Sequence, residues 1–343
     1  MPVSAHELFV TDPDQLAQLE LAIDDAGVPQ QPVVIVDGDR FIGAQSEPIA
    51  DLLRRTLPVT VLVGTDSALP DALVRAADLV IARPGVCKAA IDAEDPRAQA
   101  MYFAGKVSAS PRASLTLSWL LRGSERLDVS SALAAESAAY SMLLSSADFL
   151  SWLAARPQRR PPDGGERVRV GRAGDVLTIT LARSRRRNAV DTYMRHALLE
   201  ALRIAELDDQ LSIEIDAEGP SFSAGGDLDE FGTASDPAVA HLIRVSASVG
   251  QLIHDLRERV QVRVHGACIG AGIELPAFAG RVVAAPDAVF GLPEVEMGLI
   301  PGAGGTVSIP RRIGRGRTLW MAVTGEHVDA VTALRWGLID ALS

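Results

Sequence analysis

Residues 264–306 read VHGACIGAGIELPAFAGRVVAAPDAVFGLPEVEMGLIPGAGGT, and no other run restricts the fold of this chain as much. It holds a strand end, a glycine-rich turn, a short helix, a second strand and two further glycine-rich turns. Glu274 and Glu294 each follow closely on one of the first two turns. A strand feeding a small-residue turn that opens a helix presents free backbone N–H groups at the helix N-terminus. Such a place holds an anion, or an oxygen that becomes one during a reaction. The remaining chain then has to complete this site or support it.

The totals narrow the class of protein. At 343 residues the chain is long enough for about two domains. Few aromatics and much Ala, Val and Leu suit an α/β or helical protein. A formal net charge of −11 argues against general nucleic-acid binding, which needs a basic face. The two cysteines, Cys87 and Cys268, have neither metal-ligand nor redox spacing. The N-terminal MPVSAHELFV lacks the pattern of a signal peptide, and no apolar run reaches the roughly 18 residues of a membrane span. The expected location is cytoplasmic, with no nucleic-acid or membrane partner.

RPQRRPPDGGE, residues 156–166, has prolines, glycines and charges without apolar periodicity and reads as a linker. It separates residues 1–155 from residues 167–343. The first part has strand-like runs at 33–36, 59–63 and 79–82, with helical composition over 68–77. From Ser108 to about residue 156 apolar residues recur three and four apart, predicting helices, with Pro111 in a first turn and Gly123 as a C-cap. The second part predicts strands at 176–182, 213–215 and 260–264. It predicts helices over about 192–207, with Met194, Leu198, Ala201, Leu202 and Ala205 on one face, and over 237–256. An internal repeat is visible: Gly64 to Ala82 and Gly266 to Ala285 each run from a strand end through a helix to another strand.

Two turns and two acids carry the chemistry. In AGGD, residues 224–227, adjacent glycines allow close approach of backbone to a ligand. GAGIE, residues 270–274, opens a helix whose dipole adds positive potential. Glu274 lies between Ile273 and Leu275, and burial there raises a carboxyl pKa into a range useful for proton transfer. Glu294 follows Phe290-Gly291-Leu292-Pro293. Arg183, Arg185, Arg186 and Arg187 form a local basic cluster in an acidic chain, suited to phosphates or simply to solvent. His265 and Cys268 read as structural, and Glu296 as a solvated charge or an alternative acid.

These residues carry a resemblance. RRNAV at 186–190, SFSAGGDL at 221–228, VHGACIGAGIEL at 264–275, FGLPEVEMGLIPGAGGT at 290–306 and TGEHVDAVTALRWGLID at 324–340 resemble the crotonase (enoyl-CoA hydratase/isomerase) superfamily, in family order over about residues 167–343. The resemblance implies an α/β fold of repeated ββα units in a superhelix, with a pocket for a thioester. It implies an oxyanion hole made by the N–H groups of Gly226 and Ala271, where Ala271 departs from the commoner glycine. It implies that Glu274 and Glu294 are the hydratase pair, with Glu294 the usual proton donor and Glu274 holding the water. The residues alone leave these two roles open. It places the CoA thioester against Arg186, Arg187, Asn188, Ala189, Ala224, Gly225, Asp227, Gly270 and Gly302. No cofactor is implied beyond the CoA of the substrate, and a homo-oligomer, trimer or hexamer, is implied.

The chain departs from the family at its end. Relatives continue past GLIDALS with helices that cover the pocket, whereas here such helices occupy about 108–156. Residues 1–155 therefore resemble a degenerate crotonase copy that keeps the helical tail, and 167–343 a catalytic core without one. The expectation is that the upstream helices cover the core, from the same chain or a neighbour, and that the first part does no chemistry. The leading function is addition of water to a 2-enoyl-CoA thioester. The alternatives are another crotonase reaction on acyl-CoA (isomerisation, thioester hydrolysis, C–C cleavage) or a non-catalytic acyl-CoA-binding or assembly subunit.

Overall fold

The computed structural model describes residues 9–10, 12–41, 46–65, 68–157, 159–160 and 163–343. By packing, the chain forms two compact units, and each is mixed α/β with a largely parallel sheet. The units part at Ser124 rather than at the 156–166 stretch, and each is discontinuous: Gly314–Thr324 belongs to the first and Gly325–Ser343 to the second. Gln158, Pro161 and Pro162 of the expected linker lie outside the described residues. Two of its other residues are pinned: Arg159 donates to the Phe231 carbonyl at 2.8 Å, and Arg160 pairs with Asp229 at 3.1 Å.

In the first unit, strands Phe9–Val10, Val33–Asp37, Val59–Gly64, Leu79–Ala82 and Ile91–Asp92 pair in that order, all parallel. The three central strands are buried along their whole length, which is why they read as unbroken apolar runs rather than alternating ones. A helix not expected from the sequence, Pro96–Ala109, starts where Asp95 caps the Arg97 and Ala98 amides and Pro96 takes the first helical position. Helix Arg315–Thr324 belongs here through Trp320, which stacks on Phe103 with centroids 5.8 Å apart. Helix Pro111–Ser124 runs through Gly123, so that glycine is not a C-cap.

In the second unit, six strands pair in the order Ala341–Leu342, Arg281–Ala284, Val260–Val264, Ser212–Ala217, Val176–Leu181, Val168–Ala173. Only the Val168–Ala173 pairing is antiparallel. A second sheet joins Ala267–Ile269 to Val289–Gly291 in parallel, and the latter to Val328–Asp329 antiparallel. Helix Thr192–Glu206 buries the expected face, Met194, Leu198, Ala201, Leu202 and Ala205. The helix expected over 237–256 is two, Pro237–Ser246 and Val249–Asp255. The hydroxyl of Ser248 accepts from the Gln251 amide at 3.1 Å, and such a cap starts a new helix rather than continuing the old one. Helices Val129–Leu143 and Ala147–Ala154, upstream of the expected linker, belong to this unit. No helix among the described residues is long and apolar enough to cross a membrane.

Candidate active site

The two turns named from the sequence meet. Ser223 and Cys268 bridge in parallel, with the Ser223 amide donating to the Ala267 carbonyl at 3.1 Å and the Ile269 amide to the Ser223 carbonyl at 3.0 Å. Gly225 sits at φ +89°, and a Cβ there would lie 2.7 Å from the Ile269 carbonyl oxygen and 3.7 Å from the Ala271 nitrogen. Only glycine permits both that φ and that approach. The turn leaves two donors unspent. The Val190 amide bonds the Gly225 carbonyl and the Asp227 amide bonds the Val190 carbonyl, but among the described residues the Gly226 N–H between them has no acceptor. The Ala271 N–H, at the first position of helix Ala271–Glu274, has none either. Gly226 and Ala271 both line a cavity of about 580 Å³, together with Glu274, Glu294 and Gly302.

The acids converge over Gly270, whose Cβ would lie 2.5 Å from Oε1 of Glu294 and 3.6 Å from Oε1 of Glu274. Both side chains are buried, and they are held differently. Oε2 of Glu274 accepts from the Ala303 and Gly305 amides, each at 2.8 Å. Oε2 of Glu294 is buried and has no hydrogen-bond partner among the described residues. Burial raises the pKa of both. The Glu274 amides work against that rise, whereas the charge of Glu274 pushes Glu294 further up.

A third carboxylate shares the cavity, and sequence reasoning missed it. Glu136, on helix Val129–Leu143, is 2% exposed. Its Oε1 accepts from the Gly304 amide at 2.7 Å, and its Oε2 from the Thr306 amide at 2.9 Å and hydroxyl at 2.7 Å. Consecutive amides of one turn therefore alternate: 303 and 305 to Glu274, 304 and 306 to Glu136. Burial, then the charge of Glu274, raises the Glu136 pKa. The signal was that Glu136 is the only charged residue in the fifteen of that helix. Leu133, Ser137, Tyr140 and Leu144 from the same segment also line the cavity, so this upstream helix and the residue after it form part of the cavity wall. Gly302 allows Tyr140 in: a Cβ there would lie 2.4 Å from the ring.

The basic cluster has a different fate from a phosphate-facing patch. Arg183 is buried and pairs with Asp163, with Asp227 at 2.8 Å and with Asp191 at 3.4 Å, so its charge is spent inside the fold. Arg186 lies 3.4 Å from Asp229. Arg185 and Arg187 are exposed. Asn188 is fully buried at φ +52°. Its Oδ1 accepts from the Arg183 amide at 2.9 Å, and its Nδ2 donates to the Glu218 and Ser221 carbonyls at 2.8 and 3.0 Å. That side chain shapes the turn. The Arg187 carbonyl accepts from the Ala224 amide at 2.8 Å, which ties residues 186–189 to the AGGD turn. Asp227 lines the cavity while its carboxylate holds Arg183. Ala189, Ala224, Gly225 and Gly270 lie outside the cavity lining, as do Arg186, Arg187 and Asn188. His265 bonds the Gly219 carbonyl at 2.9 Å and Cys268 is buried, both structural.

Two unspent amide donors, one amide-anchored carboxylate and one carboxyl with an unpartnered oxygen around a single cavity are a kit for polarising a carbonyl while moving protons beside it. Residues 171–343 match the enoyl-CoA hydratase/isomerase family. The chain is similar to the crystal structure of enoyl-CoA hydratase from Thermoplasma volcanium GSS1, at 34% identity over 52% of this chain and 71% of that one, with a TM-score of 0.48. It is similar to that of enoyl-CoA hydratase from Mycobacterium smegmatis at 32% identity, over 52% and 70%, with a TM-score of 0.49. The family match covers both turns, Glu274 and Glu294 but not Glu136, and the chain belongs to the enoyl-CoA hydratase/isomerase family of the crotonase superfamily.

Proposed function

We propose that this chain is a hydro-lyase that adds water across the double bond of a 2-enoyl-CoA thioester. The observation that carries the reading is the pairing of two unspent N–H groups with two buried carboxyls held unequally. The thioester oxygen accepts from Gly226 and Ala271. Glu274, whose charge is supported by two amides, takes a proton from water as the oxygen bonds to Cβ. The electron pair of the double bond moves toward the carbonyl, and the enolate oxygen is stabilised by the same two N–H groups, each worth about 3 kcal/mol of barrier. Burial and the charge of Glu274 disfavour a negative charge on Glu294 more than its one backbone hydrogen bond favours it, so Glu294 holds the proton and delivers it to Cα. The family resemblance assigns the two roles in the same sense. Environments that push two carboxyls apart in this way define an acid and a base.

No cofactor is proposed beyond the CoA of the substrate. Arg185 and Arg187, exposed beside Asn188, are the proposed contacts for CoA phosphates. The first part, residues 1–155, is proposed as a worn copy without chemistry of its own, since it has neither the AGGD turn nor the acid pair. The test is mass analysis after incubation with crotonyl-CoA. Hydration adds the mass of one water to the thioester. An unchanged mass favours isomerisation or a binding role, and free CoA favours hydrolysis.

A further inference from the structure

One cation on the cavity wall forms no ion pair among the described residues. Arg244, on helix Pro237–Ser246, lines the cavity and is partly buried. Its Nε donates to the Ser137 hydroxyl at 3.1 Å, and its Nη2 to the Ser137 carbonyl at 3.5 Å and to the Ser141 hydroxyl. The guanidinium carbon lies 4.9 Å from the centroid of the Tyr140 ring. Every one of these partners is neutral. Among the described residues no carboxylate pairs with Arg244, and no hydrogen bond engages its Nη1. The other arginine on the cavity, Arg195, is paired with Glu230 at 3.4 Å and bonded to the Thr192 hydroxyl at 2.8 Å. Glu136 spends both its oxygens on Gly304 and Thr306. Glu274 spends one of its oxygens on Ala303 and Gly305.

Withdrawing a cation from water costs free energy that neutral hydroxyls and a ring recover only in part. An anion completing the guanidinium fork recovers more, through charge-assisted bonds of fixed geometry. Burial pulls the Arg244 pKa down, and the nearby Tyr140 and Glu136, which act the other way, do not offset it. The position favours the acyl end of a thioester. Ser137, Tyr140 and Ser141, which hold Arg244, share one helix with Glu136 and lie within about one turn of it. Glu136 in turn grips the turn that anchors Glu274. The phosphates of CoA are separated from the thioester by the whole pantetheine arm.

We propose that Arg244 is a specificity-determining residue that receives a carboxylate at the far end of the acyl chain, so that the substrate class is a CoA thioester of a dicarboxylic enoyl acid. This rests on the acyl-CoA reading above and names its substrate more narrowly.

The test is calorimetric binding of saturated thioesters, which are not turned over: glutaryl-CoA against valeryl-CoA, and adipyl-CoA against hexanoyl-CoA. The wild-type protein should bind the carboxylate-tailed member of at least one pair more tightly, by on the order of 10- to 100-fold. Arg244→Met should bring that ratio close to one. Arg244→Lys should keep part of it, and decides the matter if Arg244→Met does not fold. Equal affinities within both wild-type pairs overturn the proposal. So does an Arg244→Met protein that weakens both members of a pair alike, the result expected if Arg244 reads CoA phosphate or only packs. Binding of all four thioesters without preference overturns this inference alone. Binding of none contradicts the acyl-CoA reading with it.

Discussion

Glu294 carries opposite demands for stability and for chemistry. Its Oε2 is buried without a hydrogen-bond partner among the described residues, and its pKa is raised by burial and then by Glu274. A carboxyl whose pKa is raised in the folded state contributes stability at pH below its ordinary value, and that contribution is lost as pH rises through the raised value. Glu136 and Glu274 are raised as well, so the wild-type melting temperature should fall between about pH 5 and about pH 8. Glu294→Gln removes one of these charges and should flatten that fall, while lowering kcat by on the order of 10²- to 10⁴-fold. Melting curves across pH and initial rates check the two halves. A variant that melts with the wild-type slope contradicts the account of Glu294 as a proton-holding acid. Ala271→Pro deletes one of the two proposed oxyanion donors at a first-turn position that proline suits, and should cost on the order of 10²- to 10³-fold in kcat. Gly226, Ala271, Glu274 and Glu294 were legible because each sits at a fixed offset in a local turn. Glu136 was not, since its partners Gly304 and Thr306 lie 168 and 170 residues away and only the fold brings them together.

The turn at 303–306 is the element that organises the acids. Its amides alternate between carboxylates from two helices, and it leads into helix Gly305–Ile313, whose N-terminus favours negative charge. Replacing Glu136 by Leu strands the Gly304 amide and the Thr306 amide and hydroxyl. Each stranded buried donor costs about 1–3 kcal/mol, so urea unfolding should shift to markedly lower midpoints. An unchanged midpoint contradicts the pinning role. Elements with strong periodicity, such as Thr192–Glu206, were readable because one buried face repeats at helical spacing. The break near Ser248 was hidden because apolar spacing continues across it, and only the side-chain cap decides. The inward turn of Arg183 was hidden for a related reason: its partners Asp163, Asp191 and Asp227 are dispersed in sequence.

At the scale of the molecule, the chain is not divisible by a single cut. Helix Val129–Leu143 belongs to the unit with the acids, and helix Arg315–Thr324 to the other. A chain beginning near residue 167 loses Leu133, Glu136 and Tyr140 from the cavity wall and should be insoluble or inactive. A chain beginning at 124 keeps every acid but strips Phe103 from Trp320, which is 4% exposed in the whole protein, and should aggregate. Solubility and near-ultraviolet circular dichroism of both truncations check this, and a stable, fully active 167–343 fragment would contradict it. The most direct measurement of the proposed hydration is the enoyl-thioester absorbance of crotonyl-CoA, or of a 2-enoyl-CoA with a terminal carboxylate, mixed with wild-type protein, Glu274→Gln and Glu294→Gln. The account predicts decay with the wild type and decay slowed by on the order of 10²-fold or more with each variant. Thioester that binds without any loss of absorbance, or variants as fast as the wild type, would contradict it.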